Sequence, residues 1–294
     1  MSACTLLALA LWAVGDLPVH RHEVFRSFVG MTALMATFAG ITGWLRAHLG
    51  EQVELPALRV ALTWAPELFQ LLIFLFWVPG MITIATYLVL PYSGPLSDAW
   101  LAAPEVALGL PHPTTFAWFQ EHGLVPWFEH IYGILDPQVR LLAAYYLLVK
   151  RDLFRLWQYT AALAVAGVAS VPVLWALPAV GPTVFYDGAY PVLPPALEYI
   201  GTFEHLRQGV LASTSDVAGL LACPSFHTVF AVYLARAWFD APKPIFAMAC
   251  VVNGLVVVST IPVGSHYLID IVGGLVWALL FAIGVDRLAA RSTP

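Results

Sequence analysis

The chain has 294 residues, 60% of them hydrophobic and only 11% charged, with a mean hydropathy of +0.80. Soluble domains carry roughly 25% charged residues, so this chain cannot clothe a water-facing surface, and lipid must be the solvent for most of it. Its net charge of −5 is spread without a basic run, which argues against nucleic acid as a partner, and its three cysteines show neither pairing nor metal-ligand spacing.

In chain order, an apolar stretch at 4–14 comes first. It has no basic residues ahead of it and no clear cleavage site before Arg21, so it is expected as a short uncleaved membrane segment rather than a signal peptide. Runs apolar and long enough to cross a bilayer, about 20 residues, follow at 28–45, 68–90, 154–177, 244–262 and 267–285. Two weaker ones lie at 126–149, which contains Glu129, Asp136 and Arg140, and at 225–239, which is short and opens on polar residues. The pattern predicts an all-α, polytopic transmembrane helical bundle of about eight spans. Residues 1–60 form N-terminal membrane segments, residues 61–294 form the main membrane domain, and the last six spans make one continuous set.

The basic residues orient this bundle. With the N-terminus in the cytoplasm, Arg46, Arg59, Lys150, Arg151, Arg155, Arg236, Lys243, Arg287 and Arg291 fall inside, against Arg21, Arg26 and Arg207 outside, while Arg140 lies within a span. That bias follows the positive-inside rule. Two long outer stretches result, 91–125 and 181–224. The first is rich in Pro and Trp (Trp100, Trp118, with Trp127 just beyond) and suits a helix lying in the membrane interface. The second, with Gly181, Pro182, Pro191, Pro194 and Pro195, begins as irregular chain.

Two polar motifs open apolar spans on that outer side. Cys223-Pro224-Ser225-Phe226-His227-Thr228 precedes the run Val229 to Leu234. Pro224 and Ser225 fit a helix start, with Ser225 as N-cap or first-turn residue. A helix N-terminus offers free N–H groups and a positive dipole end, which suits a phosphate. Cys223 has no basic neighbour and reads as a small packing residue. The second motif is Gly264-Ser265-His266-Tyr267-Leu268-Ile269-Asp270. His266 and Asp270 are four apart and share one helix face. A carboxylate there can accept the proton on one imidazole nitrogen and leave the other as a nucleophile or base. Gly264, Gly273 and Gly274 allow close backbone approach.

Three readings of these residues stand side by side: interfacial anchors, metal ligands, or catalysis. Ionisable groups at membrane depth are costly and tend to be functional, and two histidines with an aspartate entering from one face favour catalysis. His and Asp are competent metal ligands, but no fourth ligand has obvious spacing, so neither a metal nor another cofactor is expected. His20, His22, His48, His112, His122 and His130 fit no motif and are expected at interfaces or in loops.

Pro-Ser-x-His opening one helix, then Ser-x6-His-x3-Asp (Ser259, His266, Asp270) opening another, resembles the type 2 phosphatidic acid phosphatase superfamily. The branch of inositol phosphorylceramide synthases and related inositolphosphotransferases looks closest. The likeness runs from about Leu68 to Val285 and includes Pro178-Ala179-Val180-Gly181-Pro182 and Leu206-Arg207-Gln208-Gly209. It implies a six-helix membrane core and metal-independent chemistry. By resemblance, His266 attacks phosphorus, Asp270 orients it, His227 protonates the leaving alkoxide and Ser225 holds a phosphoryl oxygen. The wider superfamily's Lys-x6-Arg-Pro motif is absent, and Ser259-Thr260 stands where Ser-Arg is usual. Arg207, the only basic residue in the second outer stretch, is therefore the candidate for the missing charge. The expectation is an enzyme acting on a lipid phosphoester or phosphodiester at the extracytoplasmic face, its substrate a lipid phosphate or phospholipid. The alternative is a lipid-phosphate or phosphate carrier using the same cavity without chemistry.

Overall fold

The computed structural model describes residues 21–49, 71, 79–80, 82–186, 194–210, 219–263 and 266–292. The apolar segment 4–14, most of the expected span at 68–90, and Gly264-Ser265 lie outside the described residues. Every described element is helical. They fall into two compact units, one up to Ile84 and the other from Ala85 to Val210 and from Ala218 onward.

The first unit holds α1 (Arg21–Leu49), which contains the expected span at 28–45. Leu34, Phe38, Ile41 and Trp44 are exposed on it. The hydroxyls of Thr37 and Thr42 donate back to the carbonyls of Ala33 and Phe38, so these polar groups are satisfied within the helix.

The second unit contains α2 (Asp98–Ala107), α3 (His112–Glu121), α4 (Val125–Gly133), α5 (Leu135–Ala144), α6 (Leu153–Ala176), α7 (Pro182–Phe185), α8 (Pro194–Arg207), α9 (Phe226–Ala237), α10 (Lys243–Ser259) and α11 (Leu268–Ser292). The outer stretch expected as one interfacial helix is two, α2 and α3: Gly109, with φ of +71°, closes the first and Pro111 is the N-cap of the second. The span expected at 126–149 is likewise not one rod. It divides between Gly133 and Leu135, where Pro137 has no N–H to give to the preceding turn. A π turn, Tyr145–Lys150, then ends at Arg151, which has a left-handed backbone with φ of 53°.

Among the described residues two helices are long and apolar enough to cross a membrane, α6 and the Leu268–Arg287 part of α11, while α10 is apolar but shorter. Helices α6, α9 and α11 pack together around Ala162, Ala166, Val229, Tyr233, Ala278 and Ala282. Small residues on that seam let backbones approach closely, which is how helices associate in lipid. Helices α9 and α11 run in the same direction. Their first turns are joined by the Ser225 N–H donating to the Asp270 carbonyl (2.9 Å), and their far ends by an Arg236–Asp286 ion pair. At that far end Lys150 Nζ also donates to the Asp240 carbonyl (2.9 Å), and Arg155 lies 3.7 Å from the Asp240 carboxylate. The histidine motifs therefore sit at one end of these helices and a group of basic residues at the other.

Candidate active site

Ser225 is the N-cap of α9: its Oγ accepts the Thr228 N–H at 3.4 Å and the Thr228 hydroxyl at 3.1 Å. The side chain is fully buried. Gly274 lies under this turn, and a Cβ there would meet Ser225 O at 2.6 Å and Thr228 Cβ at 2.8 Å. Only glycine lets α11 come this near, which is how the two sequence motifs are brought face to face.

His266 lies two residues before the start of α11 and is buried. Its Nδ1 lies 3.0 Å from the Ala222 carbonyl. A carbonyl can only accept, so Nδ1 carries a proton, and in the neutral ring Nε2 is the nitrogen with the lone pair. Asp270 Oδ2 is 3.7 Å from Nδ1, too far for a hydrogen bond, and accepts the Tyr267 N–H at 2.9 Å instead. The tautomer is thus set by a backbone carbonyl, with the Asp270 charge one step further out. His227, in the first turn of α9, faces His266 with ring centroids 6.0 Å apart. Tyr132 of α4 stacks on His227 at 4.1 Å, and its hydroxyl is 2.8 Å from His227 Nδ1. Arg207 is not drawn into this group: its guanidinium donates to Ser93 Oγ and the Gly94 carbonyl, both at 3.0 Å.

Behind the histidines stands α2, which brings two buried carboxylates seven residues apart on one face. Asp98, at its start, accepts the N–H groups of Val180 (3.1 Å) and Gly181 (2.9 Å) and the Tyr267 hydroxyl (2.9 Å). The Pro178–Pro182 turn seen in the sequence is the partner in this clamp, and Gly181 meets its geometry with φ of +84°. Burial raises the Asp98 pKa, opposed by those three hydrogen bonds. Glu105, at the other end, accepts the Leu268 N–H at 2.6 Å, and its carboxyl is pushed up to about 7, first by burial and further by the Asp270 charge, against the Leu268 hydrogen bond.

Residues 99–284, more than half of the chain, match a family model described as the PAP2 superfamily. The chain belongs to the PAP2 superfamily. No curated protein and no solved structure matches it. PAP2 superfamily members are generally phosphatases and typically membrane-bound, so membership supports a phosphatase-type enzyme. His227, His266, Asp270, Ser225, Arg207 and Glu105 all lie within the matched residues.

Three residues of this PAP2 protein's site escaped the sequence reading. His112 was expected at an interface or in a loop, but it is buried in the first turn of α3. Its pKa is pulled down to about 4, mainly by burial and additionally by His266, against a hydrogen bond with the Ile261 backbone, so the ring stays neutral. Asp98 and Glu105 carry no motif. Their one local signal is that each is an isolated acid in an otherwise apolar stretch, Asp98-Ala-Trp-Leu-Ala-Ala-Pro-Glu105. By contrast, His122 and His130 are exposed and bond only to carbonyls of their own helices. The Cys223 thiol is pushed up to about 12 by burial first and by Asp270 next, which keeps it from acting as a thiolate. Among the described residues no group of three or more His, Cys, Asp or Glu is disposed to hold a metal ion.

Proposed function

We propose that this PAP2 protein is a polytopic membrane enzyme that cleaves a lipid phosphoester or phosphodiester through a phosphohistidine on His266. One observation carries the reading: His266 gives its Nδ1 proton to the Ala222 carbonyl, which leaves Nε2 as a lone pair with His227 across a 6.0 Å gap between ring centroids. In the first step the Nε2 lone pair bonds to phosphorus, the P–O bond to the leaving group breaks, and the departing alkoxide takes a proton from His227. In the second, water or an alcohol gives its proton to His227 and displaces His266 from phosphorus. The Tyr132 oxygen, 2.8 Å from His227 Nδ1, accepts the Nδ1–H of the protonated ring, so the Nε2 proton is the one given to the leaving group and Nε2 is then free to act as the base. Asp270 stabilises the charge that builds on His266. The N–H groups at the start of α9, with Ser225 at its cap, meet the phosphoryl oxygens without a metal.

The site faces the extracytoplasmic side, because the basic residues of Lys150, Arg155 and Arg236 gather at the opposite end of α6 and α9. Phosphodiesters are the better donors. A monoester carries roughly −1.5 to −2 near neutral pH, and with Arg207 held by Ser93 and Gly94 outside the histidine group the site is better matched to the single charge of a diester. That favours transfer of a head group to a lipid alcohol, in line with the inositolphosphotransferase branch that the motifs resemble.

Purified protein tested against a panel of lipid phosphomonoesters and phosphodiesters, with and without lipid alcohols and chelator, decides the matter. Turnover should survive chelator, divert to a new lipid when the right alcohol is added, and vanish in His266→Ala. A His266→Ala protein with near-normal activity sinks the assignment, and rapid monoester hydrolysis that no alcohol diverts makes the protein a phosphatase.

A further inference from the structure

Glu105 is a buried acid near the histidines for which the reaction above has no use. Its side chain is almost fully buried, Oε1 holds the Leu268 N–H at 2.6 Å, and Oε2 is buried with no hydrogen-bond partner among the described residues. Asp270 repeats the arrangement: Oδ2 holds the Tyr267 N–H and Oδ1 has no partner among the described residues. Two consecutive N–H groups at the start of α11 are thus taken by two carboxyl groups, each with one bare oxygen. From α11 Glu105 meets the Asp270 charge, from the segment after α7 the Tyr186 hydroxyl, and from α3 the His112 backbone N–H. Asp98, on its own helix, is committed to Val180, Gly181 and Tyr267. These neighbours offer Glu105 no cation. Burial raises the Glu105 carboxyl to about 7, and the Asp270 charge adds to that rise.

We propose that Glu105 is a positioning acid: a neutral carboxyl that fixes the first residue of α11 and keeps a second negative charge away from Asp270 and the incoming phosphate. This rests on the phosphotransfer reading for its effect on rate, but not for the protonation itself. Ionised, Glu105 would repel an anionic substrate and draw on the same low-dielectric site as Asp270. The consequence is a loss of kcat/KM at alkaline pH that belongs to Glu105 and not to the histidines.

Glu105→Gln keeps an acceptor for Leu268 and cannot ionise, whereas Glu105→Ala strips the N–H of its partner. With nitrophenyl phosphate as the probe, wild-type kcat/KM should fall by roughly tenfold per pH unit above neutrality, while Glu105→Gln keeps most of the acidic-side activity and stays flat. Glu105→Ala should lose activity at every pH. Independently of turnover, infrared difference spectra of wild type minus Glu105→Gln should show a protonated-carboxyl band at mildly acidic pH that bleaches on passing neutrality. Overlapping pH profiles for wild type and Glu105→Gln, or no such band, overturn the proposal. A wild type that turns over nothing but shows the band contradicts the phosphotransfer reading and leaves the neutral acid standing.

Discussion

Helix α11 carries Asp270 in its first turn and Asp286 near its other end, and the same side chain meets opposite conditions at the two places. Asp286 is half-exposed and paired with Arg236 of α9. Asp270 is fully buried, holds one backbone N–H, and has one oxygen with no partner among the described residues. A solvent-facing pair such as the first contributes about 0–1 kcal/mol. An acid like the second costs stability on burial and persists where something other than stability is gained from it. On the proposed function, the first turns of α9 and α11 are the working end and the ion-paired end is a fastening.

Substitutions sharpen this contrast in order of size. Asp270→Asn should lower kcat by on the order of 10³-fold, as expected when a charge 3.7 Å from the imidazole is removed in a partly screened site. His227→Ala should cost about 10²–10⁴-fold on an alkyl phosphoester and far less on an aryl ester, whose leaving oxygen needs no proton. Equal losses on both would make His227 a binding residue. Tyr132→Phe, which keeps the ring stacked on His227 but removes one hydrogen bond, should cost up to about tenfold. Asp286→Asn comes last: activity unchanged, and stability lowered by less than about 1 kcal/mol. If Asp286→Asn harmed turnover as much as Asp270→Asn, the division of α11 into a working end and a fastening would be wrong.

Local pattern made much of this legible. The apolar runs foretold α6, α10 and α11, and the Pro-Ser start foretold an N-cap at Ser225, because helix periodicity and capping act within a few residues. The same i,i+4 spacing put Asp270 beside His266, but the acceptor for His266 Nδ1 turned out to be the carbonyl of Ala222. Nothing near His266 in sequence marks that carbonyl. Asp98 and Glu105 were hidden for the same reason. Their partners, Gly181, Tyr267 and Leu268, arrive from far along the chain, and the acids themselves look like stray charges in an interfacial helix. The break between α4 and α5 was missed because hydropathy averages over Pro137, whose missing N–H acts at a single position.

The central claim is a covalent bond between phosphorus and His266. Protein mixed with an aryl phosphate, quenched in alkali and digested should yield the His266 peptide bearing a phosphoryl adduct on its imidazole. The adduct should be absent in His266→Ala and should accumulate in His227→Ala, where the second displacement lacks its base. Turnover without any adduct on His266, or an adduct on another residue, would contradict the account.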